Sequence, residues 1–189
     1  SREDAQAAFQ RHATSKISSI EDLQSLSSYG FRGEALSSIG AIARVTLKTR
    51  EHETTEGTEV VMDGGTLAHV SAFGCPPGTE VIVEDMFRYV PARKKSLKSK
   101  NIELSHCREV VVNYILCRPG LSFSLRSDDE MNLVHVAAEG MKGSLVAAFG
   151  TKVAENMLFG DAETEGIRVE AYLGRLEHTD HLHNIGGIV

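Results

Sequence analysis

The chain has 189 residues, of which 41% are hydrophobic and 24% charged, enough apolar material for a core and too much for a disordered chain. A net charge of −6 excludes a polycation that coats nucleic acid over its whole surface, so any contact with DNA has to come from a local patch. No apolar run reaches the roughly 18 residues of a membrane span. The polar, acidic start SREDAQAAFQ lacks the basic-then-apolar order of a signal peptide. Cys75, Cys107 and Cys117 form no CxxC pair, which fits a reducing compartment, with Cys107 and Cys117 read as small core residues.

In chain order, residues 5–12 read as a short helix, and Ser18 or Ser19 can cap a second one through Leu26. A loop carrying Gly30 and Gly33 follows, and residues 34–43 read as a helix packed by Ala35, Leu36, Ile39 and Ile42. Residues 44–50 alternate, with Val45, Leu47 and Thr49 on one face. Residues 57–62 and 66–72 flank Asp63-Gly64-Gly65, a hairpin signal because these residue types tolerate positive φ. Residues 79–84 form a further strand after the Pro76-Pro77-Gly78 turn, and strands joined by tight turns imply an antiparallel sheet. Residues 102–117 turn helical, with Leu104, Cys107, Val111, Tyr114 and Ile115 on one face, and Pro119-Gly120 ends the helix. Residues 121–126 and 131–137 are strands around Asp128-Asp129-Glu130. A domain boundary is placed where that strand pattern stops, giving domains at residues 1–139 and 140–189. The second holds a helix at 144–149, strands at 157–160 and 167–173, and a strand-like run at 185–189. The expected class is α+β, helices on one face of a mainly antiparallel sheet.

Gly30-Phe31-Arg32-Gly33-Glu34-Ala35-Leu36 places two glycines before a helix. Glycine lets the backbone approach an anion, and the first free N–H groups of a helix point toward it. A Gly-x-x-Gly turn also serves simply as a turn, and no GxxxxGK[ST] sequence accompanies it.

GFRGEALSSI, with the preceding RHATSKI and the later GTEVIVEDMFRYVPARKK, resembles the MutL family of DNA mismatch repair proteins. The resemblance covers residues 1–98 in ordered blocks and the remainder more loosely. It implies part of a GHKL (Bergerat-type) ATP-binding sandwich, shared with gyrase, a heat-shock chaperone and histidine kinases, followed by the start of a ribosomal-S5-like transducer domain. By resemblance, Thr14 and Ser15 of the lid lie near the nucleotide. Lys16 helps by its charge or is a solvated lysine at a helix entry. Gly30, Phe31, Arg32, Gly33, Glu34, Ala35 and Leu36 form the phosphate loop, where Glu34 is better read as structural, a carboxylate that complements the helix dipole. Thr79, of the Gly78-Thr79 pair, sits beneath the adenine; without the resemblance it is an ordinary strand-opening threonine.

The cofactors implied are ATP and Mg²⁺. The family's general-base Glu, its Mg²⁺-holding Asn and its adenine-reading Asp are expected to precede Ser1, and a lysine for the γ-phosphate to follow Val189. The intact protein is therefore expected to be an ATPase, and these 189 residues alone are expected to bind ATP weakly or not at all and not to turn it over. Two positions depart from the family pattern: Tyr89 stands for a common Asn and Ser96 for an aromatic.

Arg88, Arg93, Lys94, Lys95, Lys98 and Lys100 occur with no acid among them, a strip suited to sequence-independent DNA contact or to lysine stems lying over apolar surface. His178, Asp180, His181 and His183 have some metal-ligand character but read better as a polar loop, and no metal site is expected. The implied partners are DNA, a MutS-type mismatch-recognition protein, and a second MutL-type subunit, identical or not. No membrane partner is implied, and the implied location is the cytoplasm or nucleoid, or the nucleus in a eukaryote. Two other readings remain: the ATPase–transducer region of a type II topoisomerase, which GFRGEALSSI and PARKK argue against, and a non-catalytic DNA-binding or scaffold piece.

Overall fold

A computed structural model describes residues 1–14, 22, 30 and 32–175. Ser15, Lys16, Phe31, the histidine cluster at 178–183, the expected helix at 18–26 and the expected strand at 185–189 therefore lie outside the described residues. The chain divides into two compact units between Leu97 and Lys98.

The first unit opens with α1 (Arg2–Ala7), where Ser1 and Asp4 cap each other reciprocally. That cap starts the helix three residues before the position expected from apolar periodicity, and the left-handed backbone at His12 (φ +64°) bars its continuation to residue 12. Helix α2 (Ala35–Gly40) is also shorter than expected. The backbone N–H groups of Gly65 and Gly64 take the carbonyls of Gly40 (2.8 Å) and Ala43 (3.3 Å), so the chain leaves the helical path to meet the hairpin turn.

Strands β1 (Arg44–Arg50), β2 (Gly57–Asp63), β3 (Thr66–Phe73) and β4 (Gly78–Glu84) form one antiparallel sheet in the order β3-β2-β1-β4. The expected hairpin is present: Gly64 and Gly65 both have positive φ (+59° and +83°), as a two-residue β2–β3 turn requires. Val45, Leu47 and Val60 are buried with Ala5, Phe9 and Ala43, and Leu36 and Ile39 of α2 pack against them. One sheet face is thus covered by α1 and α2, as the alternation in β1 predicts. Short α3 (Pro91–Ser96) starts on a proline, whose fixed φ suits a first helical turn.

The second unit contains α4 (Lys100–Cys117), a hairpin of β5 (Phe123–Ser127) and β6 (Glu130–His135), α5 (Gly140–Phe149), α6 (Thr151–Ala154) and a hairpin of β7 (Met157–Thr164) and β8 (Ile167–Gly174). Asp128 and Asp129 carry positive φ (+51° and +65°) at the β5–β6 turn. Its core is Val112, Ile115 and Leu133, with Val111, Leu116, Phe123, Leu125 and Ala147 around them. The buried face of α4 is therefore rotated from the expected one: Ile115 and Val111 face inward as expected, but Cys107 and Tyr114 are exposed. Three consecutive valines, Val110, Val111 and Val112, spread apolar surface around more than half of the helix, and packing selects which side is covered.

His135, 1% exposed, joins β6 to α5 and to the loop after α4. Its Nε2 lies 3.0 Å from the Pro119 carbonyl and so carries the proton there. Ser144 Oγ, fully buried, lies 3.4 Å from the same nitrogen and donates to the Gly140 carbonyl at 3.2 Å. Together the fold is α+β, as expected from the sequence.

The rotated face of α4 has a measurable consequence. Ile115→Ala, which empties a fully buried site, should destabilise the second unit by about 2–5 kcal/mol, whereas Cys107→Ser at an exposed site should stay within about 0.5 kcal/mol. Denaturant midpoints of the two variants check this, and comparable losses would reject the assignment of the buried face.

Candidate functional site

The two sequence motifs that suggest a nucleotide site come together in space. The backbone N–H of His12 donates to the Gly33 carbonyl at 3.1 Å, joining the RHAT segment to the glycine loop. His12 Nδ1 also lies 3.4 Å from Glu34 Oε1, but both side chains are well exposed (77% and 48%), so the pair adds little stability. Thr14 is half-buried in the same segment.

The two glycines of the loop are required for different reasons. A Cβ on Gly33 would lie 2.4 Å from the Ala13 carbonyl oxygen, and its φ is +62°, so this glycine is needed for the close approach of the 10–14 segment. Gly30 also has positive φ, +74°, but a Cβ there meets nothing within 4 Å among the described residues. At Gly30 it is the positive φ that calls for glycine. Arg32 is exposed beside it. Glu34 is the N-cap of α2 but makes no side-chain capping bond; its carbonyl accepts from Ser37 Oγ at 3.0 Å. Ala35 is exposed, while Leu36 packs against the sheet core, so Leu36 anchors the loop and leaves any ligand contact to the backbone before it.

Thr79 lies on edge strand β4, exposed, directly opposite Thr49 of β1. The two hydroxyl oxygens are 2.9 Å apart. Gly78 has φ +123° with open space around it. The loop before it is tied down by Arg50, whose Nε donates to the Cys75 carbonyl at 2.6 Å and whose Nη1 donates to the Thr54 carbonyl. Neither Thr49 nor Arg50 stands out in the sequence. Their one local signal is their place at the end of an alternating strand, and Thr79's partner depends on a register that only the folded sheet defines.

The basic strip is divided by the fold. Arg93, Lys94 and Lys95 lie in the last turn of α3, exposed and without an ion pair among the described residues, where positive charge complements the helix dipole. Arg88 faces Asp85 at 3.6 Å and its guanidinium sits 5.7 Å from the Tyr89 ring centre. Lys98 and Lys100 belong to the second unit, and Lys100 pairs with Asp128. A strip without acids in the sequence thus acquires acidic partners at Arg88 and Lys100.

Tyr89 has a partner of its own. Its hydroxyl donates to Asp63 Oδ1 at 2.7 Å, while Arg44 Nη1 lies 3.4 Å from Asp63 Oδ2. The bond to Asp63 holds the phenol's pKa above its ordinary value of 10.0. The Tyr89 ring also closes over Gly64, where a Cβ would come within 2.9 Å of it. Among the described residues no group of His, Cys, Asp and Glu side chains is placed to hold a metal ion. No described helix is long and apolar enough to cross a membrane.

No family model matches the chain. The DNA mismatch repair protein MutL of Caldanaerobacter subterraneus subsp. tengcongensis is 40% identical over 169 residues, 89% of this chain and 29% of that protein. MutL of Opitutus terrae is 42% identical over 175 residues, 93% of this chain and 28% of that protein. The chain thus spans under a third of the length of the curated relatives it matches. Among solved structures, the Aquifex aeolicus MutL ATPase domain complexed with ADP is similar with a TM-score of 0.67 and 29% identity, over 85% of this chain and 61% of that one.

The different reasons for the two loop glycines can be separated. Gly33→Ala should cost more than about 2 kcal/mol, since it adds a backbone clash to an unfavourable φ, and Gly30→Ala about 1 kcal/mol from φ alone. Equal losses in chemical denaturation would show that Ala13 does not approach Gly33 closely.

Proposed function

The chain belongs to the MutL family of DNA mismatch repair proteins, and on that premise we propose that it forms part of an ATP-operated repair switch. In the intact protein, ATP binding and slow hydrolysis drive dimerisation of the N-terminal regions and couple mismatch recognition to excision. Ligand binding then acts by biasing a two-state element. The observation that carries this reading is the junction of the two motifs, where the His12 N–H meets the Gly33 carbonyl and the start of the lid rests on the glycine loop. The ADP in the Aquifex aeolicus relative supports a nucleotide as the ligand.

The residue assignments follow the same reading. Thr14 and Ser15 approach the nucleotide from the lid, and Gly30, Phe31, Arg32, Gly33, Glu34, Ala35 and Leu36 form the phosphate loop. Gly30 and Arg32 face the phosphates, and Glu34 and Leu36 hold the loop in place. Thr79 serves the base. ATP supplies the phosphoryl group whose loss resets the switch. The residues of this chain orient it, while the catalytic base and the Mg²⁺ ligand are assigned to other parts of the intact protein. Residues 1–139 are assigned to the nucleotide domain and 140–189 to the beginning of the transducer domain. The partners are DNA, a MutS-type protein and a second MutL-type subunit, in the cytoplasm or nucleoid, or in the nucleus of a eukaryote. The type II topoisomerase alternative is not favoured, because the relatives are MutL proteins.

Two experiments test the reading. Calorimetric titration of these 189 residues should give ATP binding that is weak or absent and no hydrolysis, while the full-length protein turns ATP over; micromolar affinity or turnover by the 189 residues would overturn the assignment of the catalytic groups. For DNA, every cation that neutralises a phosphate adds about 0.9 to the slope of log affinity against log salt. Lys94→Glu with Lys95→Glu in the full-length protein should therefore flatten that slope by about 2, and an unchanged slope would exclude α3 from the DNA-binding surface.

A further inference from the structure

We propose that Thr49 is a positioning residue for the base side of the nucleotide site, its hydroxyl determining how the Thr79 hydroxyl meets the base. The inference rests on the reading of Thr79 as the base-side residue. Thr49 and Thr79 are register partners across β1 and β4, so their side chains share a sheet face. Their oxygens lie 2.9 Å apart, with Thr79 exposed in front and Thr49 half-buried behind.

The backbone around Thr79 is held from two sides. On one side is the ladder that pairs Arg50 with Gly78 and Thr49 with Thr79. On the other, Arg50 grips the Cys75 carbonyl at 2.6 Å and the Thr54 carbonyl, joining the loop that leads into β4 to the loop that leaves β1. With the backbone held and a β-branched side chain stiff at χ1, the freedom left to Thr79 is the direction of its hydroxyl proton. Each hydroxyl has one proton and two acceptor positions, so within the pair only one donates. When Thr49 donates, Thr79 keeps its proton for a ring nitrogen. When Thr79 donates to Thr49, it presents lone pairs to an exocyclic amino group. Adenine's N7 edge carries an amino donor beside a nitrogen acceptor, whereas guanine's carries two acceptors. Only adenine therefore profits from the state in which Thr79 gives its proton to Thr49 and turns its lone pairs outward. Without the Thr49 hydroxyl that state has no acceptor for the proton.

The test measures ATP and GTP affinity in the full-length protein for Thr79→Val, Thr49→Val and Thr49→Ser. Both valine variants should weaken ATP binding about tenfold, the scale of one hydrogen bond in a desolvated site. GTP affinity should change less, so the ATP-to-GTP ratio falls. Thr49→Ser should restore that ratio to within about twofold of the unaltered protein. If Thr79→Val lowers the ratio and Thr49→Val does not, or if Thr49→Val weakens both nucleotides equally, Thr49 is a packing residue and the inference is overturned while Thr79 keeps its role. If Thr79→Val leaves ATP binding unchanged, the base-side reading fails and the inference with it. Thr49→Ala carries the same expectation as Thr49→Val and takes its place should the valine variant fail to fold.

Discussion

Strand β1 is hydrogen-bonded along both edges, to β2 and to β4, and most of the first unit takes its position from that double pairing. Its inward residues Val45 and Leu47 are buried under the two helices, which fixes where α2, and so the glycine loop before it, lies over the sheet. Its ends carry arginines with parallel duties. Arg44 holds Asp63, the carboxylate that also receives Tyr89, and Arg50 holds the loops on either side of Thr49 and Gly78. A seven-residue strand spans roughly 20 Å, so one element separates the hairpin end of the sheet from the threonine pair and gives each a fixed frame.

The glycine loop shows how one residue type answers two demands. Gly33 is explained by the Ala13 backbone lying against it, an approach that closes the loop upon the segment before the lid. At Gly30 the positive φ calls for glycine. A loop pinned at Gly33 by the Ala13 backbone is partly preorganised, because that end costs no further ordering when a ligand arrives. Preorganisation of this kind raises affinity by lowering the entropy lost on binding.

Much of this is legible in the sequence, and the exceptions have identifiable causes. The alternation of Val45 and Leu47 and the Asp63-Gly64-Gly65 turn give the sheet and its antiparallel pairing directly, because strand period and turn chemistry are local properties. The buried face of α4 departs from its periodicity at Cys107 and Tyr114, since Val110, Val111 and Val112 give a helix more than one apolar side. The Thr49–Thr79 pair joins residues thirty apart, and the His135 joint links β6 to α5 and to the loop after α4. Such contacts depend on register and packing and leave no periodic trace. The same holds for the acid that reaches Lys100, since Asp128 lies in a later hairpin turn, whereas Asp85 stands only three positions before Arg88.

The pairing of these cations bears on what a basic segment can do. A carboxylate beside a cation removes a full charge from the local field, whereas the C-terminal end of a helix offers only about half an elementary charge and fades within one turn. Arg93, Lys94 and Lys95 are of the second kind, so they stabilise α3 while keeping nearly all of their charge for an outside anion. Arg88 is intermediate, because its pair with Asp85 is exposed on both sides (52% and 60%), and such a pair contributes little enough to be exchanged for a phosphate. The number of cations a basic segment keeps for a polyanion is therefore set by which of them the fold has already paired, and among the described residues of this strip the three in the last turn of α3 have no acidic partner.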